Sequence, residues 1–275
     1  MKGKEFAKKL VIITGGSSGL GKALAERLIT KRANLALVAR NEKKLSAVRE
    51  ELLKKSQAGQ KIESYPCDVS NFNEVEIAFK KIVETLGLPD ILINSAGILR
   101  EGYFEKVPLE IFQEVMAIDF FGALHCIKAV LPFFQIKGAG TIVNISSMAG
   151  LMGGFGYSAY CSAKFALNGL TETLRQELKP QGIKFHLVCP PEFESPMVEE
   201  LNTYRSLENK KMVHTLPVLD AEQVADAVMR GIEKGKYMII PGLLTRTIER
   251  ANRWFPGLAR VVADIRLKKF YQGPN

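Results

Sequence analysis

The 275-residue chain holds only four cysteines, three histidines and one tryptophan. Cys67, Cys126, Cys161 and Cys189 form no CxxC pair and match no zinc spacing. His125, His186 and His214 are as scattered, so neither a metal site nor a disulfide framework is expected. A reducing, cytoplasmic setting is the simplest reading of such cysteine usage. Long uncharged apolar runs are also missing. Residues 10–13 follow a basic start but run straight into glycines, too soon for a secretory signal. The longest greasy stretch, residues 111–134, is broken by Glu114, Asp119, His125 and Lys128. It reads as a buried helix rather than a membrane span. No linker rich in Pro, Gly or Ser divides the chain, and no internal repeat is visible.

What is present suits one globular body. A 47% hydrophobic content with 24% charged residues excludes wholesale disorder. The formal charge is +9, which fits an anionic ligand, an acidic surface or nucleic acid equally well until the charge is located. Short strand-like runs occur at residues 10–14, 35–39, 62–66, 91–94, 140–146, 184–188 and 237–240. Amphipathic helical periods lie between them, for example at 21–31, 43–55, 74–86 and 221–234. Apolar strands without strict polar alternation, each followed by a helix, predict an α/β fold. The expected architecture is a doubly wound parallel sheet, Rossmann-like, with helices on both faces. This pattern ends near Gly242, giving a body of residues 1–242 and a tail of 243–275.

The first β–α turn reads Thr14-Gly15-Gly16-Ser17-Ser18-Gly19-Leu20-Gly21. Glycines there permit a tight turn and close backbone approach to a diphosphate, and the helix that follows offers unpaired N–H groups. The second strand ends in Ala39-Arg40, where an NAD binder would carry an acid for the ribose 2′-hydroxyl. An arginine there pairs with a 2′-phosphate instead, and Ser17 and Ser18 can add hydroxyl bonds. NADPH/NADP+ is therefore the expected cofactor.

Further along, Tyr160 and Lys164 stand four residues apart in a predicted helix starting near Tyr157, and so share a face. An ammonium beside a phenol favours the phenolate and would bring the tyrosine toward the working pH range. A strand ending in Ser146-Ser147 precedes Tyr160 by thirteen residues.

These motifs, in this order, resemble the short-chain dehydrogenase/reductase family over most of residues 8–242. The resemblance implies that Ser147 holds the substrate carbonyl, with Ser146 as the alternative. Tyr160 then moves the proton, and Lys164 steadies Tyr160 and holds the nicotinamide ribose. It implies cofactor contacts from Asp68 and Val69 after the third strand. Asn94, Ala96 and Gly97 after the fourth would line the cofactor too, Asn94 with a purely structural role as the alternative. Where the family often has a water-holding Asn, this chain has Asp119, which can hold that water or pair with Lys164 directly. After Cys189 the family's Pro-Gly becomes Pro190-Pro191, which removes a backbone donor. Phe193 and Ser195 fall at the carboxamide-contact positions. Residues 197–215 are polar and weakly periodic and are expected to form a lid.

Within the family, the segment from Pro190 to Pro196 resembles that of 3-ketodihydrosphingosine reductases. A lipidic ketone such as 3-ketosphinganine is the expected substrate. Steroids or 3-oxoacyl thioesters are the alternatives, and a non-catalytic NADP-binding protein is the remaining class. The tail adds weight to the lipid reading. It carries seven basic residues against two acidic ones, five of the nine excess charges. Arg246, Arg250 and Arg253 share one helical face, while Leu244, Ile248, Ala251 and Phe255 form another. A basic amphipathic helix ending in Trp254 and Phe255 suits peripheral contact with a membrane surface, or packing on the body or a second subunit. A homodimer or homotetramer built on the helices around 112–134 and 157–178 is the family habit. Nucleic-acid binding is not expected, because no basic motif with interleaved aromatics lies outside the tail.

Overall fold

Seven short strands, most of them rich in aliphatic residues, pair into one wholly parallel sheet in this computed structural model, which describes residues 5–213 and 218–271. The strands are β1 (Leu10–Thr14), β2 (Asn34–Ala39), β3 (Ile62–Pro66), β4 (Ile91–Asn94), β5 (Gly140–Ile145), β6 (Ile183–Val188) and β7 (Met238–Ile239). Their spatial order is β3-β2-β1-β4-β5-β6-β7. The winding direction reverses between β1 and β4, so a crevice opens at the C-terminal ends of these two strands.

Alternation along each strand feeds two cores. In β1, Val11 and Ile13 pack on one face of the sheet while Leu10 and Ile12 pack on the other. Helices α1 (Gly19–Thr30), α2 (Glu42–Lys55) and α9 (Ala221–Glu233) cover the first face. Helices α3 (Phe72–Leu86) and α5 (Gly122–Lys137), with the C-terminal part of α6 (Ser158–Leu178), cover the second. Burial on both faces explains why the strands read as continuous apolar runs. Each element carries ordinary core energetics: truncating the fully buried Leu28 of α1 to Ala would cost about 2–5 kcal/mol.

Helix α4 (Leu109–Met116) continues through a π-helical turn (Ala117–Phe121) into α5. The 29-residue stretch Leu109–Lys137 is long and apolar enough to cross a membrane. Here it packs instead against α3, α6, β4 and β5, as the interrupting charges predict. The expected lid forms a pair of short helices, α7 (Pro196–Asn202) and α8 (Leu207–Val213). Its last two residues, His214 and Thr215, lie outside the described residues.

Beyond Gly242, whose φ of +84° suits glycine, come α10 (Leu243–Trp254) and α11 (Pro256–Phe270). Pro256 opens α11 where its missing N–H costs nothing. Phe270 and Tyr271 rest on the body: Lys211 Nζ is 4.9 Å from the Phe270 ring, and the Tyr271 and Phe155 rings are 6.4 Å apart. Leu258, Val261, Val262 and Ile265 of α11 remain exposed.

Candidate active site

The glycine turn is a backbone cradle. Thr14 is buried, and its hydroxyl accepts hydrogen bonds from the N–H groups of Ser95 (3.1 Å) and Ala96 (3.2 Å), stapling the ends of β1 and β4. A Cβ on Gly15 would lie 2.8 Å from the Ser95 oxygen, and one on Gly21 would lie 2.3 Å from the Gly15 oxygen. The turn can fold back on α1 only because these positions lack side chains. Gly19 takes the left-handed conformation (φ +51°), and a Cβ there would touch Ser195 Cβ at 3.7 Å. The Ser18 side chain does not cap α1, and the first turn of the helix holds no acid. A concave backbone surface beside uncapped helix N–H groups fits a dinucleotide diphosphate. Leu20 points into the core, so only its backbone faces this cradle.

The remaining strand ends divide into exposed and structural positions. Arg40 is exposed at the end of β2 and makes no hydrogen bond or ion pair among the described residues. Asp68 Oδ1 accepts from the N–H (2.9 Å) and hydroxyl (2.8 Å) of Ser70. The Val69 side chain is buried, at a place where a Cβ on Gly122 would meet it at 2.6 Å, so its side chain belongs to the core. Asn94 is buried and donates to Asn144 Oδ1 (2.9 Å), which favours its structural reading. The Pro190 carbonyl accepts from the Met148 N–H (2.9 Å). Phe193 pairs with Leu219 in a single parallel bridge held by the N–H groups of Glu194 and Leu219. Ser195 caps α7 through Val198 N–H (3.4 Å) and faces the glycine turn.

Four residues meet where β5, α6 and the π-helical turn converge. Ser146 is buried and donates to Asn168 (2.6 Å), leaving Ser147 as the freer hydroxyl. Ser147 is extended (φ −162°) and accepts from Ala149 N–H (3.1 Å). Tyr160 is half-buried, with its ring centroid 5.4 Å from Lys164 Nζ. Lys164 Nζ donates to the Ile145 carbonyl (3.2 Å) and stands 3.1 Å from Asp119 Oδ2. Asp119 Oδ1 accepts from the Ile98 N–H (2.7 Å). Gly97 admits this carboxylate, since a Cβ there would come within 3.1 Å of Oδ2. The π-helical turn that carries Asp119 is a rare geometry often found at functional sites.

The electrostatics depart from the expectation for Tyr160. Burial pushes its hydroxyl above the usual phenol range, Lys164 pulls against this, and Asp119 adds to the rise. Burial would pull Lys164 down, but Asp119 and Tyr160 outweigh it and hold the ammonium above its ordinary value. Burial raises Asp119, opposed by Lys164 and the Ile98 N–H.

A second buried network was not legible in the sequence. Arg205, between α7 and α8, forms a two-pronged ion pair with Glu192 and donates to the Tyr157 hydroxyl (2.7 Å). The Arg205 and Glu192 side chains are only 1% and 9% exposed. Ser206 adds bonds to Glu101 (3.1 Å from its N–H, 2.6 Å from its hydroxyl), and Asn209 donates to the Phe155 carbonyl (2.6 Å). The lid helices are therefore latched to the loop after β6 and to the start of α6. No spacing rule links residues 157, 192 and 205.

The family model for short chain dehydrogenases matches residues 9–206. The chain belongs to the short-chain dehydrogenase/reductase family. It is 36% identical to a 3-ketodihydrosphingosine reductase of Mus musculus over 229 residues, covering 82% of this chain and 69% of that protein. A Dictyostelium discoideum protein of the same name is 36% identical over 252 residues, covering 86% and 75%. Among solved structures, a Burkholderia phymatum short-chain dehydrogenase/reductase in complex with NAD superposes with a TM-score of 0.82 at 24% identity, over 92% of this chain and 96% of that one. Levodione reductase does so with a TM-score of 0.78 at 27% identity, over 86% and 96%.

As a short-chain dehydrogenase/reductase, the protein is an oxidoreductase that works with a nicotinamide dinucleotide. Such folds hold that cofactor at the C-terminal ends of the strands where the winding reverses, the side on which Gly19 and Ser195 approach each other. Asp119 and Pro191 stand where the resemblance implies Asn and Gly.

Proposed function

We propose that the protein reduces the ketone of a long-chain lipid to a secondary alcohol with NADPH, 3-ketosphinganine being the leading substrate. The observation that carries the reaction class is the meeting of Ser147, Tyr160 and Lys164 just beyond the C-terminal end of β5. Ser147 would hold the carbonyl oxygen through its hydroxyl. Tyr160 would give its proton to that oxygen as negative charge develops there, and its raised pKa keeps the proton available at neutral pH. Lys164, held cationic by Asp119, would stabilise the tyrosinate that remains. A bound nicotinamide would supply the hydride. Thr14, Gly15, Gly19 and Gly21 shape the backbone that would receive its diphosphate. The unpaired Arg40 supports NADPH over NADH, since a guanidinium pairs with a 2′-phosphate bidentately. The lipid assignment rests on the names of the relatives and on the exposed apolar and basic tail. In this reading the tail meets a membrane surface peripherally. Exposed Phe121 and Phe165, on the long helices, would join subunits of a homo-oligomer.

The test is NADPH and NADH oxidation by the purified protein with 3-ketosphinganine, a 3-oxoacyl thioester and a ketosteroid in parallel. Preferred turnover of the sphingoid ketone with NADPH is expected. Tyr160→Phe should abolish turnover while NADPH still binds. A retained rate in that variant would refute the proton donor.

A further inference from the structure

On the edge of the sheet, α9, β7 and α10 border a cavity of about 370 Å³. Arg230, Lys234, Lys236, Arg246 and Arg250 line it, with Glu249 as its one acid. It shares no residue with the site described above. Arg246 donates to the Gly242 carbonyl (3.1 Å), and none of the five cations forms an ion pair among the described residues. Arg230 and Lys234 lie at the end of α9, where a helix C-terminus favours positive charge. That accounts for two of the five. Lys236 precedes β7, and Arg246 and Arg250 come from the next helix, so no helix end explains them. Like charges brought within a Debye length of one another repel unless an anion joins them. Arginines at such a place favour phosphate, whose oxygens they can pair bidentately.

The source of that phosphate is indicated by the rest of α10. Leu243 and Leu244 at one end, and Trp254 and Phe255 at the other, are exposed by 77%, 49%, 76% and 65%. An apolar flank containing Trp beside a basic cavity suits a helix lying in a bilayer interface. We propose that the cavity binds the phosphate of an anionic lipid headgroup while α10 lies in the membrane surface. The proposal rests on the membrane contact in the reading above and assigns it a defined headgroup site.

Flotation of the full-length protein on vesicles of phosphatidylcholine, with and without phosphatidylglycerol, tests it. Two charge-matched variants are compared: Arg230→Gln/Lys236→Gln/Arg246→Gln in the cavity, and Arg260→Gln/Arg266→Gln/Lys269→Gln on α11. Wild type should float only with phosphatidylglycerol. The cavity variant should lose about tenfold more binding than the α11 variant, beyond the contribution that any basic residue near the surface makes. Equal losses would overturn the cavity site and leave the membrane reading standing. No flotation of wild type would remove the membrane reading itself. Calorimetry with inorganic phosphate separates the other source: tight binding of it without flotation would assign the cavity to a free phosphate and overturn the lipid proposal. A cavity variant that changes only the oligomeric mass would assign the cluster to a subunit contact, which overturns it too.

Discussion

Asp119 Oδ2 stands 3.1 Å from Lys164 Nζ, with the two side chains 0% and 5% exposed. Of the two roles the sequence left open for Asp119, the structure shows direct pairing with Lys164. Two charges out of water are stable together only if attraction and hydrogen bonds offset their desolvation. Here the Ile98 N–H and the Ile145 carbonyl supply those bonds. The carboxylate also reaches past its partner: it raises the Tyr160 pKa while Lys164 lowers it. Asp119 therefore opposes the effect that a Tyr-x-x-x-Lys pair is expected to have.

Asp119→Asn should keep the fold and part of the activity but move the pH profile. Reduction needs a protonated Tyr160, so its rate falls as pH rises through that group's pKa. Removing the carboxylate removes one cause of the raised value, and the alkaline limb should move to lower pH. The pH dependence of kcat/KM for carbonyl reduction checks this. An unmoved alkaline limb would mean that Asp119 only fills space.

The fold and the grouping of Ser147, Tyr160 and Lys164 were legible because their signals are local. Strand edges fell within one or two residues of the expected positions, since a sheet buried on both faces writes its strands as unbroken apolar runs. Tyr160 and Lys164 share a face by helical geometry alone. The latch was hidden because Tyr157, Glu192 and Arg205 meet only through tertiary packing. The Tyr157 hydroxyl, three residues before Tyr160, accepts from Arg205 and so serves the lid. Of the two tail helices α10 is amphipathic and α11 is scarcely so, and Arg246 and Arg250 turn toward a cavity beside α9, which helical periodicity cannot reveal.

Arg40 gives a direct test of cofactor choice. It is exposed and unpaired, so Arg40→Ala should leave stability unchanged within about 0.5 kcal/mol. KM for NADPH should rise about tenfold, the equivalent of one charge-assisted contact of ~1.4 kcal/mol. KM for NADH should change little. Equal effects on both nucleotides would argue against a 2′-phosphate contact.

Arg205→Met would strand the Glu192 carboxylate in a buried site. Loss of one partner of such a pair costs about 3–5 kcal/mol. The expected results are a lower Tm, faster proteolytic cleavage within residues 196–213, and a reduced kcat/KM. Arg205→Lys keeps the charge but not the two-pronged geometry and should recover part of each loss. Wild-type cleavage rates and kcat/KM in the Met variant would show that the lid does not depend on this latch.

Gly21→Ala probes the cradle itself. The new Cβ would sit 2.3 Å from the Gly15 carbonyl oxygen, a backbone atom that cannot swing aside. The turn and the start of α1 must separate, at an overpacking cost of about 1–3 kcal/mol. The sheet is held by two large cores and should survive that cost, so the far-UV circular dichroism spectrum should be retained. The cradle should not survive, and dinucleotide affinity should fall at least about tenfold because the diphosphate loses its backbone contacts. Gly257→Ala, where nothing lies within 4 Å of the new methyl, controls for the loss of a glycine and should bind as wild type does. Calorimetric titration with NADPH reads both variants. If Gly21→Ala binds as tightly as Gly257→Ala, the diphosphate is not held at this turn.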